Sequence, residues 1–115
     1  MRRALVALLL LTLAGCARPT HDEATLRRIA AESAMLLQTT AAGEVAPAKW
    51  PATIKSLEPR EIIATPYGLY VEMNVHFDAE SGYFFSRDEK KHPPISGPDF
   101  AYSPLGHGIY WYDAS

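Results

Sequence analysis

The sequence predicts a single small α+β domain, in which an N-terminal amphipathic helix packs on an antiparallel sheet of about four strands. Between residues 20 and 43, apolar side chains recur every three to four positions, which indicates a helix with one buried stripe. From residue 61 onward, segments rich in β-branched and aromatic residues alternate with turn sequences, which is typical of antiparallel hairpins. A helical region followed by a run of strands favours the α+β class.

The first predicted helix begins at Thr20. Thr20 and Glu23 have the spacing of a capping box, and Gly43 provides a C-terminal stop. Arg28 and Glu32 are spaced to form an ion pair on the exposed surface. The stripe predicted to be buried consists of Leu26, Ile29, Ala30, Ser33, Leu36 and Leu37. The mixed charges on the polar side favour packing against the sheet over lying on a membrane.

A short second helix is predicted around residues 51–57. Pro51 suits the first turn of a helix, where its missing N–H costs nothing, and Pro59 ends the run. The side chains predicted to reach the core from this region are Trp50, Ile54 and Leu57.

The predicted strands span residues 61–65, 69–77, 83–86 and 108–113, with turns at 66–68 and 78–82. In the second strand, alternation predicts one face made of Leu69, Val71, Met73, Val75 and Phe77. The opposite, wet face is predicted to hold Tyr70, Glu72, Asn74 and His76. The segment 87–107 is rich in proline, which excludes a central strand and a helix there.

A separate N-terminal segment precedes this domain. Arg2 and Arg3 give a positive start, and the ten residues that follow, Ala4 to Leu13, are uncharged. As a helix, those ten residues would cover about 15 Å, which is half of the ~30 Å core of a bilayer. The segment therefore has the pattern of a signal-peptide core and is too short for a transmembrane span.

The sequence Leu13-Ala14-Gly15-Cys16 resembles the lipobox of bacterial lipoproteins. The resemblance implies that residues 1–15 are a signal peptide that is removed. It also implies that Cys16 carries a diacylglyceryl group on its sulfur and an acyl chain such as palmitate on its amine. Two or more acyl chains anchor a protein stably. Residues 16–19 would then be a lipidated tether, and residues 20–115 the folded domain.

The residue after the cysteine carries a further implication. In many Gram-negative lipoproteins an aspartate at that position retains the product in the inner membrane, whereas this sequence has Ala17. The resemblance therefore implies a location in the cell envelope on the outer membrane, facing the periplasm.

Charge and cysteine content limit the partners of the mature chain. Removal of residues 1–15 lowers the formal net charge from −2 to −4, because Arg2 and Arg3 lie in that segment. This balance argues against a nucleic-acid partner and against electrostatic adhesion to anionic lipid. Cys16 is the one cysteine of the sequence, so no disulfide is predicted. No cofactor is predicted apart from the covalent lipid.

The sequence contains candidate ligands for a metal site. The candidate ligands are His76, Asp78 and Glu80, which His92 or His107 could complete. Because Asp78 already begins a turn, these residues are more simply interpreted as the solvated end of a strand.

Other catalytic patterns concern nucleophiles, phosphate loops and carboxylate pairs. None of the serines lies in a nucleophile elbow, and glycine-rich phosphate loops are absent. A pair of carboxylates for acid–base chemistry, drawn from Glu72, Glu80, Asp88 and Glu89, stays open, because carboxylates that the fold brings together leave no trace in the sequence.

The C-terminal part of the sequence is rich in tyrosine. The candidate partner-binding residues are Tyr102, His107, Tyr110 and Tyr112. Along a strand, Tyr110 and Tyr112 share one face while Ile109 and Trp111 share the other, so one pair can enter the core. Tyrosines combine an apolar body with a polar tip and suit a binding surface. Packing of these tyrosines beneath the proline-rich segment is an equal alternative.

These observations predict a membrane-anchored periplasmic lipoprotein that acts as a non-enzymatic binding module, with an envelope protein or a cell-wall component as its partner. One alternative is a small periplasmic hydrolase or metal-binding enzyme that uses His76, Asp78 and Glu80. Another is a periplasmic inhibitor or immunity lipoprotein. The segments "GLYVE", "GYFF" and "IYWY" resemble small proteobacterial envelope proteins, and this resemblance implies no particular activity.

Overall fold

A computed structural model of the protein describes residues 17–88 and 99–115. The predicted signal peptide, Cys16, Glu89 and His92 lie outside the described residues. The described chain forms one antiparallel sheet with two α-helices, which confirms the α+β class. Within those residues, neither helix has the length and apolar character needed to cross a membrane.

The two helices both precede the main part of the sheet. They are α1 (Glu23–Thr39) and α2 (Ala52–Ser56), with a 3-10 turn at Pro47–Lys49 between them. The strands are β1 (Gly43–Glu44), β2 (Glu61–Ala64), β3 (Gly68–His76), β4 (Ala79–Ser86), β5 (Phe100–Gly106) and β6 (Ile109–Ala114). Their spatial order is β1-β2-β3-β4-β6-β5, and every neighbouring pair is antiparallel.

The described sheet has six strands, so the prediction of about four is wrong by the two edge strands. β1 contains only two residues and pairs with β2. β5 lies inside the proline-rich segment but occupies the edge of the sheet. Pro104 is tolerated there because an edge strand leaves one row of backbone groups unpaired, and the pairing with β6 becomes irregular between Pro104 and Gly106.

The turn between β3 and β4 is shorter than predicted. Phe77 and Asp78 alone connect the two strands, and the residues from Ala79 to Gly82, predicted as turn, belong to β4. Phe77 adopts a left-handed backbone conformation with φ 53°. A positive φ of this kind is what a two-residue hairpin turn requires.

A β-bulge in β3 interrupts the predicted alternation. Glu72 pairs with Gly82, whereas Asn74 pairs with Ser81, so Met73 is an extra residue on β3. After the bulge, the amide nitrogen of Asn74 donates a hydrogen bond to Ser81 Oγ at 2.9 Å. The prediction that Asn74 shares a face with Glu72 is therefore wrong.

One hydrophobic core lies between α1, α2 and a single face of the sheet. On α1, the buried residues are Leu26, Ile29, Ser33, Leu36 and Leu37, with Ala30 partly buried, which confirms the predicted stripe. The sheet contributes Ile62, Ala64, Leu69, Val71, Tyr83, Ile109 and Trp111. From the region of α2, Ile54 is buried and Trp50 and Leu57 pack partly buried, as predicted.

The ends of α1 differ from the prediction by a few residues. Asp22, and not Thr20, is the N-cap, because its Oδ2 accepts a hydrogen bond from the Thr25 N–H at 3.0 Å. Hydrogen bonds from Thr25 lower the pKa of the Asp22 carboxyl. The helix ends at Thr39, ahead of Gly43.

Glu32 joins the two helices. Its carboxylate oxygens accept hydrogen bonds from the backbone N–H groups of Thr53, at 3.1 Å, and Ile54, at 2.9 Å. N–H groups in the first turn of a helix have no partner within the helix, so Glu32 supplies the acceptors for α2. The sequence had suggested a surface pair with Arg28 for this side chain.

Replacing Ser33 with alanine is expected to raise the free energy of unfolding by about 1 kcal/mol. Ser33 is fully buried on α1, and its hydroxyl finds no hydrogen-bond partner among the described residues. Alanine removes that unsatisfied group and has a higher helix propensity. Urea unfolding followed by circular dichroism measures the change, and a loss of stability would show that the hydroxyl has a partner in solution.

Candidate functional site

The sheet face opposite α1 carries a cluster of aromatic side chains, termed the aromatic face. Tyr70 on β3, Phe84 on β4 and Tyr110 on β6 are consecutive partners across the sheet. Tyr102 and Tyr112 are partners on β5 and β6. Because paired residues point to the same side of a sheet, these side chains lie together. The members are Tyr70, Phe84, Phe100, Tyr102, Tyr110 and Tyr112.

Tyr70 and Tyr102 form an arch over this face. Their hydroxyls are 2.8 Å apart in a hydrogen bond, although β4 and β6 separate the two strands, a span of roughly 14 Å. Beneath them, Phe84 is 0% exposed and Tyr112 is 1% exposed. The Tyr70 ring lies 4.6 Å from the Phe84 ring and 5.2 Å from the Tyr112 ring, measured between centroids. Packing among aromatic side chains thus buries two of them on the face away from α1.

A groove of about 190 Å³ lies beside the arch. Its lining residues are Ile63, Thr65, Tyr70, Glu72, Glu80, Phe100 and Tyr112. The walls are mainly aromatic and aliphatic, and the charged groups in them are two carboxylates. An apolar pocket with a few converging polar groups is the usual form of a binding site for a small molecule or a side chain.

Glu72 and Glu80 come together in this groove, as one of the carboxylate pairs that the sequence left open. The pKa of Glu72 is raised to about 7 by its partial burial, by a hydrogen bond with Glu80 and by the like charge of Glu80. The positive charge of Arg60 acts in the opposite direction and lowers this pKa. Near neutral pH the pair therefore shares one proton and can release it. Asp88 lies beyond the other end of β4, and Glu89 is outside the described residues.

The tyrosines around the groove are neutral at physiological pH. Burial raises the pKa of Tyr70, Tyr102 and Tyr112 above the ordinary value for a phenol. For Tyr112, the nearby carboxylates of Glu80 and Glu72 raise the pKa further. These phenols therefore add no negative charge to that of the two carboxylates.

The structure brings together three of the four predicted partner-binding residues, Tyr102, Tyr110 and Tyr112. His107 stands apart in the turn between β5 and β6, where its Nε2 lies 2.5 Å from Glu23 Oε1 at the start of α1. His107 and Gly108 both have positive φ, as a type I′ turn requires. His107 therefore contacts α1 and does not belong to the aromatic face.

The core takes the other pair of C-terminal side chains. Ile109 and Trp111 are buried in the cluster that contains α1, and the Trp111 ring packs edge-on against Tyr83 at 5.0 Å. Tyr110 is partly buried and Tyr112 is buried, both on the aromatic face. The open question of which pair enters the core is thus decided in favour of Ile109 and Trp111.

The candidate metal ligands His76, Asp78 and Glu80 do not converge. Glu80 lines the groove with Glu72, whereas Asp78 lies in the turn between β3 and β4. Across residues 17–88 and 99–115, no three histidine, cysteine, aspartate or glutamate side chains lie close enough to hold a metal ion. The proposed fourth ligand His92 is outside the described residues.

Three residues of the aromatic face were missed as candidates from the sequence: Tyr70, Phe84 and Phe100. Alternation along β3 did place Tyr70 and Glu72 on the wet face, which was the available signal. The register that brings Phe84 and Phe100 beside them depends on pairing with β4 and β6, and no local pattern encodes it.

We expect the stability of the protein to fall as the pH rises from about 4.5 to 7, owing to Glu72. The pKa of Glu72 is raised in the folded state, so the folded protein binds this proton more tightly than the unfolded chain does. Its contribution to stability is therefore fully present below the unfolded pKa and is lost as the pH rises through the folded pKa. Glu72→Gln should remove this part of the pH dependence, because the amide can still donate to Glu80.

Urea unfolding midpoints at pH 5, 6, 7 and 8 measure this effect. The exposed carboxylate of Glu44 on β1 provides a matched control, and Glu44→Gln should keep the pH dependence of the wild type. If Glu72→Gln also kept it, the shared proton would not be located on this pair.

Comparison of the chain with protein-family models, with curated proteins and with solved structures found no match.

Proposed function

We propose that the protein is a lipid-anchored, non-enzymatic binding module of the cell envelope, and that its aromatic face binds a positively charged group of its partner. The observation that carries this proposal is the groove, in which aromatic walls and the carboxylates of Glu72 and Glu80 converge on one space. This groove lies on the sheet face opposite α1, so binding would leave the hydrophobic core intact.

The chemistry of the lining favours a cation over a neutral or anionic group. Tyr70 and Phe100 line the groove with aromatic rings, and the quadrupole of such rings attracts ammonium and guanidinium groups. Glu72 and Glu80 repel each other, and their shared proton relieves this repulsion when the groove is empty. A bound cation would take the place of that proton and offset one of the two negative charges. A volume of about 190 Å³ matches one lysine or arginine side chain and excludes a large ligand.

The lipobox supports the location of this module. Cys16, modified with lipid, would hold the domain at the periplasmic face of the outer membrane. A partner in that compartment is an envelope protein or a cell-wall component, and either can offer an amine. The formal net charge of −4 after removal of residues 1–15 agrees with a preference for positively charged partners.

Binding of a defined cationic probe tests the proposed function. The probe is N-acetyl-lysine methylamide, titrated into the ¹⁵N-labelled protein at pH 8, where the shared proton is released. We expect saturable amide shifts at Glu72, Glu80 and Tyr112, with a Kd of about 1 mM, as suits a single side chain worth roughly 4 kcal/mol. Binding should weaken at pH 6, since the probe then competes with the proton on Glu72.

The neutral analogue N-acetyl-norleucine methylamide is the matched ligand control and should give no saturable shifts. Glu72→Gln combined with Glu80→Gln should abolish binding of the lysine probe, whereas Glu44→Gln should leave it unchanged. Equal binding of the lysine and norleucine probes would contradict a site for cations. Absence of saturable shifts with both probes would contradict a binding groove.

A further inference from the structure

The residue that follows the predicted lipid-bearing cysteine is fixed to the sheet. The Ala17 N–H donates to Asn74 Oδ1 at 2.8 Å, and the Ala17 carbonyl accepts from Asn74 Nδ2 at 2.8 Å. Three residues later, the Thr20 N–H donates to the Tyr83 hydroxyl at 2.9 Å. The segment between the lipid and α1 is therefore held at both ends, and the bulge in β3 is what turns Asn74 toward it.

These contacts define where the lipid emerges. Asn74 lies near the end of β3 that leads into the turn with β4, whereas Tyr83 lies farther from that turn. The chain from Ala17 to Thr20 thus runs away from the turn, and Cys16 precedes Ala17 by one Cα–Cα step of about 3.8 Å. Asn74 and Phe77 are separated by about 10 Å along the strand. A lipid on Cys16 would therefore leave the domain beside the β3–β4 turn.

Phe77 at this turn is unfavourable for the isolated domain in two ways. Its side chain is the most exposed of the large hydrophobic residues in the described chain. Its backbone also adopts φ 53°, a conformation that glycine or asparagine tolerates better than a bulky residue. A fully exposed aromatic ring in a strained turn suggests that its burial occurs outside the fold.

We propose that Phe77 inserts into the surface of the membrane that holds the lipid of Cys16, so that the β3–β4 turn is a second, apolar contact with the bilayer. This inference rests on the lipid anchor of the proposed function. The partner is the lipid surface itself, because Ala17 directly follows the residue that carries the acyl chains. Aromatic rings favour the interface of a bilayer, and such insertion would fix the orientation of the sheet relative to the membrane.

The charges at this turn favour a zwitterionic lipid surface. Asp78 follows Phe77 directly, and the mature chain carries a net charge of −4. Insertion would therefore depend on apolar burial and would gain nothing from anionic headgroups.

Tryptophan quenching in vesicles tests the inference. The full chain is produced in a bacterial host, and an intact mass reports the diacylglyceryl group on Cys16. The purified lipidated protein is reconstituted into phosphatidylcholine vesicles with brominated acyl chains, which quench tryptophan at short range. Phe77→Trp and Asp78→Trp place probes at the turn. Tyr67→Trp is the matched control, because Tyr67 is an exposed aromatic residue at the opposite end of β3, roughly 30 Å away.

We expect the added emission of Phe77→Trp to be lost in brominated vesicles, and that of Tyr67→Trp to persist. The wild-type emission of Trp50 and Trp111, both away from the turn, gives the background. Two results, obtained with protein of lipidated mass, would overturn the inference and leave the anchor intact. One is equal quenching at positions 67 and 77, and the other is no quenching at positions 77 and 78. A mass without the diacylglyceryl group would overturn the anchor, and this inference with it.

Discussion

Replacing Cys16 with serine is expected to move the protein completely from the membrane fraction to the soluble periplasmic fraction. In the proposed lipoprotein, the Cys16 thiol would take the diacylglyceryl chain, and a serine hydroxyl is too weak a nucleophile to replace it. Each buried CH₂ of an acyl chain contributes about 0.8 kcal/mol to membrane binding. Loss of all acyl chains therefore removes far more binding free energy than insertion of the Phe77 side chain would contribute. Cell fractionation with immunoblotting measures the distribution.

A matched control lies inside the segment that is predicted to be removed. Thr12→Ser retains the apolar run and the lipobox, and the product should stay in the membrane fraction. If the Cys16→Ser chain resisted an alkaline carbonate wash and stayed with the membrane, the proposed lipid anchor would be wrong.

Tyr112→Ala is expected to lower the free energy of unfolding by about 3–5 kcal/mol. Tyr112 is buried on the aromatic face, where its ring contacts Tyr70 edge-on at 5.2 Å and stacks on Phe100 at 5.8 Å. Truncation would leave a cavity under the arch and remove both ring contacts. Urea unfolding at pH 7 measures the loss.

Tyr110→Ala is the control for this prediction, since the two tyrosines lie two residues apart on the same face. Tyr110 is only partly buried, and its nearest ring contact in the cluster, Tyr102, is 6.2 Å away. We expect a loss of about 1 kcal/mol for this variant. Equal losses would show that Tyr112 is not covered by the arch in solution. Because Tyr112 stabilises the fold, Glu72, which lines the groove, is the better position for testing binding.

The helices were predictable because their determinants are local. The stripe on α1 follows from the spacing of Leu26, Ile29 and Leu36 alone, and the structure buries all three. The N-cap was placed at Thr20 instead of Asp22, since both residue types can cap a helix. The hydrogen bond from the Thr20 N–H to Tyr83, which holds Thr20 outside the helix, depends on a residue 63 positions later in the chain.

The details of the sheet were not predictable, because they depend on the neighbouring strand. Gly82 was interpreted as part of a turn, but it lies within β4 opposite the bulge. A Cβ atom there would stand 2.1 Å from the Val71 carbonyl oxygen, so the close backbone approach at the bulge requires glycine. The bulge in turn moves Asn74 to the face that carries Ala17. No pattern within β3 alone reveals this change.

The candidate site was predictable in part. Alternation correctly grouped Tyr110 with Tyr112, and the tyrosine-rich C-terminal region does contribute to the aromatic face. The approach of Glu72 to Glu80 depends on the diagonal register across β3 and β4, which the sequence could not supply. His107 was a candidate because it is close in sequence to the C-terminal tyrosines. In the structure, the turn between β5 and β6 places it beside Glu23.

The claim that the aromatic face is the contact surface of an anchored binding module is tested most directly by photo-crosslinking in cells. A photo-reactive phenylalanine analogue replaces Tyr110 on the aromatic face, or Met35 as a control, which is an exposed residue of α1. We predict a discrete crosslinked species at position 110 that disappears when Glu72→Gln and Glu80→Gln are added, and no such species at position 35. The claim would be contradicted by a crosslinked species at position 35 without one at position 110. It would also be contradicted by a species at position 110 that persists when Glu72 and Glu80 are both replaced.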